Sequence, residues 1–353
     1  MRKIAFEEHF TTQQQAGYIR AIIEKTYPVK RVNREEENLN IEIRWVPTSD
    51  QSGSLVGSGV IMGKLLDVGE GRLRDMDKSG IDVQVLTLVS PGVQMLDSAT
   101  AVSTMKTADD YLAEVVRAHP DRFVGMATLA PQNPGQSVKE LERAVHRLGM
   151  RGACIHSQTK DHYLDEKRYW PIFEAAEALD VPVYLHARIP SRQMVKAYTG
   201  YPGLALAFWG YGAETSLHAI RLICSGVFEQ FPKLKIVLGH MGEALPFWLW
   251  RLDRRWTAGA GASERGYSRK PSDYFRENFF ITTSGNFWFP PLQESLLAIG
   301  SDKILFAVDY PFENSQEGAQ FMESVPISQT DREKICFRNA EKLLKLTSLE
   351  NAE

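Results

Sequence analysis

The sequence predicts a single (β/α)8 TIM barrel, of class α/β, and three observations carry that expectation. Eight short apolar, β-rich runs recur along the 353 residues. Amphipathic stretches of helical period separate them, the pattern of parallel strands joined by helical crossovers. Polar or titratable residues then follow many of the runs directly, which suits a fold whose chemistry sits at the carboxyl ends of its strands.

The strand runs are KIAF (3–6), VQVLTL (83–88), FVGMATL (123–129) and GACI (152–155), then VPVYL (181–185), KIVLG (235–239), FFITT (279–283) and KILFAV (303–308). The helical patterns between them include 111–119, 138–149, 170–179 and 215–231, and residues 332–346 read as a closing amphipathic helix. Eight strands close a barrel that usually takes about 250 residues but tolerates insertions. Two insertions account for the surplus. Residues 11–64 read as a long loop with a short helix after strand one. Residues 187–213 read as a second loop, after strand five, containing Phe208, Trp209 and Tyr211. An open doubly wound sheet is the runner-up, but no GxGxxG follows the first strand. With no repeat or linker along it, the chain is expected to be one domain, 1–353.

Composition excludes several classes. A hydrophobic content of 43% is ordinary for a protein with a large core, and a net charge of −3 with no basic block gives no footprint for nucleic acid. No run of about 18 apolar residues offers a membrane span. Cys154, Cys224 and Cys336 are odd in number, widely spaced and outside any CxxC pair, as expected in a reducing cytoplasm.

The strand ends carry the functional signal. Strand one runs into Glu7 and His9, which share a face because strand side chains alternate. Strand four ends in His156, strand five in His186, strand six in His240, strand seven in Ser284-Gly285-Asn286 and strand eight in Asp309. One such imidazole is more often structural than functional. Several at matched positions, with carboxylates at both ends of the set, suit a catalytic divalent ion, Zn²⁺ or Mn²⁺, with an open position for substrate. Residue types alone leave His240 open as ligand or catalyst.

The stretches IAFEEHF (4–10), SPGVQ (90–94), PDRF (120–123), YLH (184–186), GHMGE (239–243), ITTSG (281–285) and DYPFE (309–313) also carry a resemblance. Over nearly its whole length the chain resembles the metal-dependent decarboxylase branch of the amidohydrolase superfamily. That branch includes the γ-resorcylate, 2,3-dihydroxybenzoate, 5-carboxyvanillate and aminocarboxymuconate semialdehyde decarboxylases. The resemblance implies one metal ion per subunit, held by Glu7, His186 and Asp309 and joined by His9, with no organic cofactor. It implies that Asp309 handles the proton and that His240 and Glu243 form the pair behind it. It further implies a small aromatic acid as substrate and a homodimer or homotetramer. The binuclear hydrolases of the superfamily carry HxH on strand one and often a bridging carboxylated lysine. Here Glu7 replaces the first His and no Lys ends a middle strand, so a mononuclear site is expected. The chain departs from its relatives at Ala187-Arg188-Ile189, at His156, and over 33–63.

Candidate substrate contacts are His156, Arg188, Arg251, Phe287 and Trp288. Either Arg could grip a carboxylate bidentately or serve a structural salt bridge, and Phe and Trp more often simply pack. His218, in an apolar helical pattern, is expected to be a satisfied core residue. His119 reads as a helix C-terminal residue, and His146 and His162 read as solvated. The expected reaction is non-oxidative decarboxylation of an ortho-hydroxybenzoate-type acid. The rival enzyme class is a hydrolase or hydratase using activated water, and a non-catalytic metal-binding barrel is the third possibility.

Overall fold

A computed structural model describes residues 1–18, 59–260 and 269–346. Most of the insertion after strand one, and with it most of the expectation for 11–64, lies outside the described residues. The strands are β1 (Ile4–Phe10), β2 (Val83–Leu88), β3 (Phe123–Gly125), β4 (Ala127–Thr128), β5 (Ala153–His156), β6 (Val183–His186), β7 (Ile236–Leu238), β8 (Phe279–Thr282) and β9 (Ile304–Leu305). All neighbours pair parallel, in the order β1-β2-β3 and β4-β5-β6-β7-β8-β9.

Backbone hydrogen bonds join these two sheets into a closed barrel. β3 and β4 are two halves of one barrel strand interrupted at Met126, whose N–H donates to Leu86 O while Ala127 N–H donates to Gly152 O. On the other side, Phe6 N–H donates to Phe306 O, Asp309 N–H to Glu7 O and His9 N–H to Tyr310 O. The barrel therefore has the expected eight staves, and the runs placed at 303–308 and 123–129 are only partly in regular strand.

Alternation along the staves builds the interior in layers. Ile4, Phe6, Val83, Val85, Cys154, Tyr184, Val237 and Leu305 form one apolar cluster, closed by Ala340, Leu343 and Leu344 of the final helix. Their alternate neighbours, such as Ala5, Leu86, Ile155, Leu185 and Leu238, pack in a second cluster with the surrounding helices. Two residues further along the inward-facing series come Thr87 after Val85, His156 after Cys154 and His186 after Tyr184. The polar layer is thus the continuation of the core.

β1 differs from its sequence expectation. It does not stop at Phe6 but runs to Phe10, with a register shift against β2 between Ala5 and Glu8. Before this bulge Ile4 and Phe6 face the interior; beyond it Glu7 and His9 do. One extra residue switches the face that looks inward. The pattern expected at 215–231 is likewise split, into helices Gly210–Ser225 and Val227–Gln230, because Gly226 adopts a left-handed φ of 88°. No helix of the described residues is long and apolar enough to cross a membrane.

Candidate metal centre and active-site cavity

Glu7, His9, His186 and Asp309 converge at the mouth of the barrel, each offering one ligand atom, and these atoms all lie within 4.8 Å of one another. His9 Nε2 and His186 Nε2 face each other at 3.1 Å. Asp309 Oδ1 lies 3.0 Å from His9 Nε2, and Glu7 Oε1 lies 3.4 Å from His186 Nε2. Glu7 is fully buried, yet its Oε1 makes no hydrogen bond. A buried orphan oxygen beside two converging imidazole nitrogens is what a divalent ion of mixed O/N preference would satisfy. The four residues fit a metal.

Each ligand is aimed from behind. Thr87 Oγ1 engages His9 Nδ1 at 3.0 Å, and His156 Nδ1 engages His186 Nδ1 at 3.1 Å, so both rings present Nε2 to the centre. Thr282 Oγ1 donates to Glu7 Oε2 at 2.8 Å, and Ser284 Oγ donates to the same oxygen. Gly239 permits this packing, since a Cβ there would sit 3.0 Å from both Glu7 oxygens. Burial, together with the neighbouring His9, His156 and His240 rings, holds His186 well below the usual histidine range. Burial, with His9 and Arg188, puts His156 at about 3. Both rings are thus neutral near neutral pH, the form in which imidazole ligates.

His240 enters from an unusual turn. Residues His240, Met241, Gly242, Glu243 and Ala244 all have positive φ, from 47° to 71°. This left-handed turn folds Glu243 back so that its Oε1 lies 2.8 Å from His240 Nδ1. The other ring nitrogen then points to Asp309 Oδ2 at 3.6 Å and Glu7 Oε1 at 3.7 Å. Burial opposes charge on His240, but Glu243 and Glu7, with Asp309, outweigh it and raise its pKa well above the usual value. Burial likewise opposes charge on Asp309, and the hydrogen bonds from His240 and His9 overcome it and lower its pKa.

Above the cluster lies a cavity of about 680 Å³ lined by His186, His240, Glu243, Asn286, Asp309, Phe312, Glu313 and the apolar walls Trp209, Trp248 and Leu252. Glu313 is open to this cavity, yet the surrounding walls and Asp309 still push its carboxyl up to about 7.

The expected substrate contacts do not line the cavity. His156 is buried behind His186 and orients that ring. Arg188 is buried and donates through Nη1 to Gln158 O at 2.8 Å. Arg251 lies exposed on the helix Leu245–Arg255, away from the cavity wall. Phe287 turns into the core beside Phe321, and Trp288 is exposed. His218 is buried, with Leu164 N–H donating to its Nε2 at 2.8 Å and Ser157 Oγ at 3.2 Å from Nδ1. His119 caps the helix Ser98–Ala118, and His146 and His162 are exposed. Sequence reasoning missed Thr87, Glu8 and the cavity face of Glu313. Thr87 had a signal, because it pairs in register with His9 at the end of β2.

Comparisons with known proteins agree with this geometry. A family model described as Amidohydrolase matches residues 66–346. γ-Resorcylate decarboxylase of Polaromonas sp. strain JS666 is 40% identical over 351 residues, covering 98% of each chain. Among solved structures, 5-carboxyvanillate decarboxylase from Sphingomonas paucimobilis superposes with a TM-score of 0.85 at 38% identity, covering 98% of this chain and 99% of that one. A dihydroxybenzoic acid decarboxylase from Polaromonas sp. JS666, with bound manganese and the inhibitor 2-nitroresorcinol, gives a TM-score of 0.84 at 39% identity, covering 99% of this chain and 98% of that one.

Proposed function

This chain belongs to the amidohydrolase family, and from that premise we propose its chemistry: metal-dependent, non-oxidative decarboxylation of a hydroxylated aromatic carboxylic acid of the ortho-hydroxybenzoate type. The observation that carries this assignment is the Glu7–His9–His186–Asp309 cluster, with its orphan buried oxygen, opening onto an aromatic-walled cavity. Glu7, His9, His186 and Asp309 would hold the ion, one per subunit. Two carboxylates and two imidazoles suit manganese or zinc, and the manganese of the Polaromonas structure supports the former. Once bound, the ion would orient the acid through its phenolate and carboxylate oxygens and lower the phenol pKa.

Direct loss of CO₂ from an aryl acid would leave an unstable aryl anion. Protonating the ring carbon that bears the carboxylate avoids this, because breaking the C–C bond then returns its electron pair to the ring and restores aromaticity. Asp309, at the cavity floor and ionised at rest, is the group assigned to carry that proton: it would take it from the ortho-hydroxyl of the substrate and pass it to the ring carbon. His240 Nε2 faces the Asp309 carboxylate, and Glu243 fixes the His240 ring through Nδ1. The pair thereby holds the proton-transfer geometry. Trp209, Trp248 and Leu252 give the cavity an apolar wall against which an aromatic ring can pack.

We read residues 1–353 as one domain working in the cytoplasm, with the three free cysteines Cys154, Cys224 and Cys336 supporting that location. A homodimer or homotetramer is the assembly we favour, supported by the exposed aromatics Tyr201, Phe208, Trp209 and Trp250; a monomeric mass by light scattering at micromolar concentration would overturn it. The test of function is metal analysis of the purified protein followed by a hydroxyaryl-acid panel read by UV absorbance and mass spectrometry. Release of CO₂ without water uptake supports decarboxylation. A hydrated or hydrolysed product would place the chain with the hydrolases and hydratases, and bound metal without turnover would make it a binding protein.

A further inference from the structure

We propose that Glu313 is a specificity residue: its carboxyl group accepts a hydrogen bond from a second ring hydroxyl of the substrate, other than the ortho-hydroxyl that would face the metal cluster together with the carboxylate. The proposal rests on the decarboxylase assignment above and narrows it to polyhydroxylated acids.

Glu313 follows Asp309 by four residues, and its amide donates to Asp309 O at 3.2 Å, which ties its position to that of the proton donor. Its side chain reaches the cavity, where it stands outside the four-residue ligand cluster. Among the described residues no hydrogen bond or ion pair to its carboxyl is found. It sits across Gly285 from the catalytic ring: a Cβ on Gly285 would lie 3.3 Å from His240 Cδ2 and 3.8 Å from Glu313 Oε1. Gly285, at a φ of 59°, keeps that gap open. A ring lodged over the metal cluster therefore has one edge toward an unengaged carboxyl, with the apolar ring of Phe312 beside it.

Charge fixes what the group selects. With Asp309 and Glu243 already present, a further carboxyl group, in its ionised fraction, repels a substrate carboxylate, and its oxygens accept from a hydroxyl donor. The acid's carboxylate is thus turned away from Glu313, and an acid with a second carboxylate on that edge is disfavoured. An acceptor that a bound ring covers and pairs through its hydroxyl also discriminates against an analogue lacking that hydroxyl.

The test compares wild type with Glu313→Ala and Glu313→Gln, each checked for metal content and thermal midpoint. The preference for 2,6-dihydroxybenzoate over 2-hydroxybenzoate, as a ratio of kcat/KM, should fall at least ~10-fold in Glu313→Ala, the scale of one hydrogen bond to a charged group. Most of this should appear in KM. Glu313→Gln, which keeps an acceptor oxygen, should retain part of the preference. Binding of 2-nitroresorcinol relative to 2-nitrophenol, which needs no turnover, should change in parallel. Equal losses for both members of each pair, or an unaltered ratio, would overturn the role of Glu313. If wild type releases no CO₂ from any acid, the assigned reaction fails, while the nitrophenol pair still tests Glu313.

Discussion

The carboxylate of Glu8 grips the backbone on both sides of Asp309. Val308 N–H donates to Glu8 Oε1 at 2.9 Å and Tyr310 N–H donates to Glu8 Oε2 at 3.3 Å, while Gln84 Nε2 donates to Oε2 at 3.2 Å. Glu8 is fully buried and lies on the face of β1 opposite Glu7 and His9. Burial pushes its carboxyl up to about 8, against the pull of the Val308 amide and Arg72. The seam that closes the barrel is therefore also the fixture for a ligand whose φ of 80° is unusual for a residue with a side chain.

Removing that grip should loosen the metal centre without touching a ligand. Glu8→Ala orphans two buried amides at about 1–3 kcal/mol each. Urea unfolding should show the lost stability, and metal titration should show weaker binding. Glu8→Gln, which keeps one acceptor oxygen, should be intermediate. Unaltered metal affinity in both variants would mean that Asp309 is held by something else.

His186→Ala should release the metal. The ring is aimed by His156 and contributes a nitrogen that the remaining oxygens cannot replace. Elemental analysis of the purified variant decides it: full occupancy would show that the ligand is assigned wrongly.

Asp309→Asn keeps the shape and an oxygen donor but removes the exchangeable acid. Activity should drop at least ~10²-fold, the lower end for a positioned general acid, with much of the metal retained. Near wild-type decarboxylation would transfer proton delivery to another group, with His240, at 3.6 Å from Asp309, first in line.

His218 should make the fold acid-sensitive. Burial, with Arg221 nearby, holds its pKa at about 3, down from the ordinary 6.5. The folded state thus favours the neutral ring, while the unfolded chain takes up a proton below pH 6.5. The contribution is fully present above 6.5 and is lost as pH falls toward 3, at roughly 1.4 kcal/mol per pH unit inside that window. His218→Gln should be less stable at neutral pH but show a flatter decline across the window. Parallel stability–pH curves for the two proteins would remove His218 from the account.

Where the sequence was informative, the reason was geometric. Glu7, His186, His240 and Asp309 could be picked out because a barrel brings strand ends to one mouth, so position after a strand stands in for position in space. His156 obeyed the same rule and misled. A residue at a strand end can face the cavity or the neighbouring stave, and His156, paired in register with His186, leans on that ring. Arg251, Phe287 and Trp288 depended on how helices and loops turn above the barrel, which local pattern does not encode. The switch of inward face along β1 was hidden too, because one extra residue leaves no compositional trace. Glu8 was invisible as a clasp because its partners are backbone amides some 300 residues away.

The run of positive φ from His240 to Ala244 bears on the order in which the protein assembles. Local preference works against it, since each residue with a Cβ loses roughly 1–2 kcal/mol in that conformation. The segment cannot nucleate by itself and must wait for surroundings that impose its shape, such as Ser284 Oγ on the His240 amide and Ser216 Oγ on the Glu243 carbonyl. It belongs with the last parts to form and the first to open. Catalytic competence should accordingly disappear at lower urea than far-UV circular dichroism, so that a folded but inactive population precedes global unfolding.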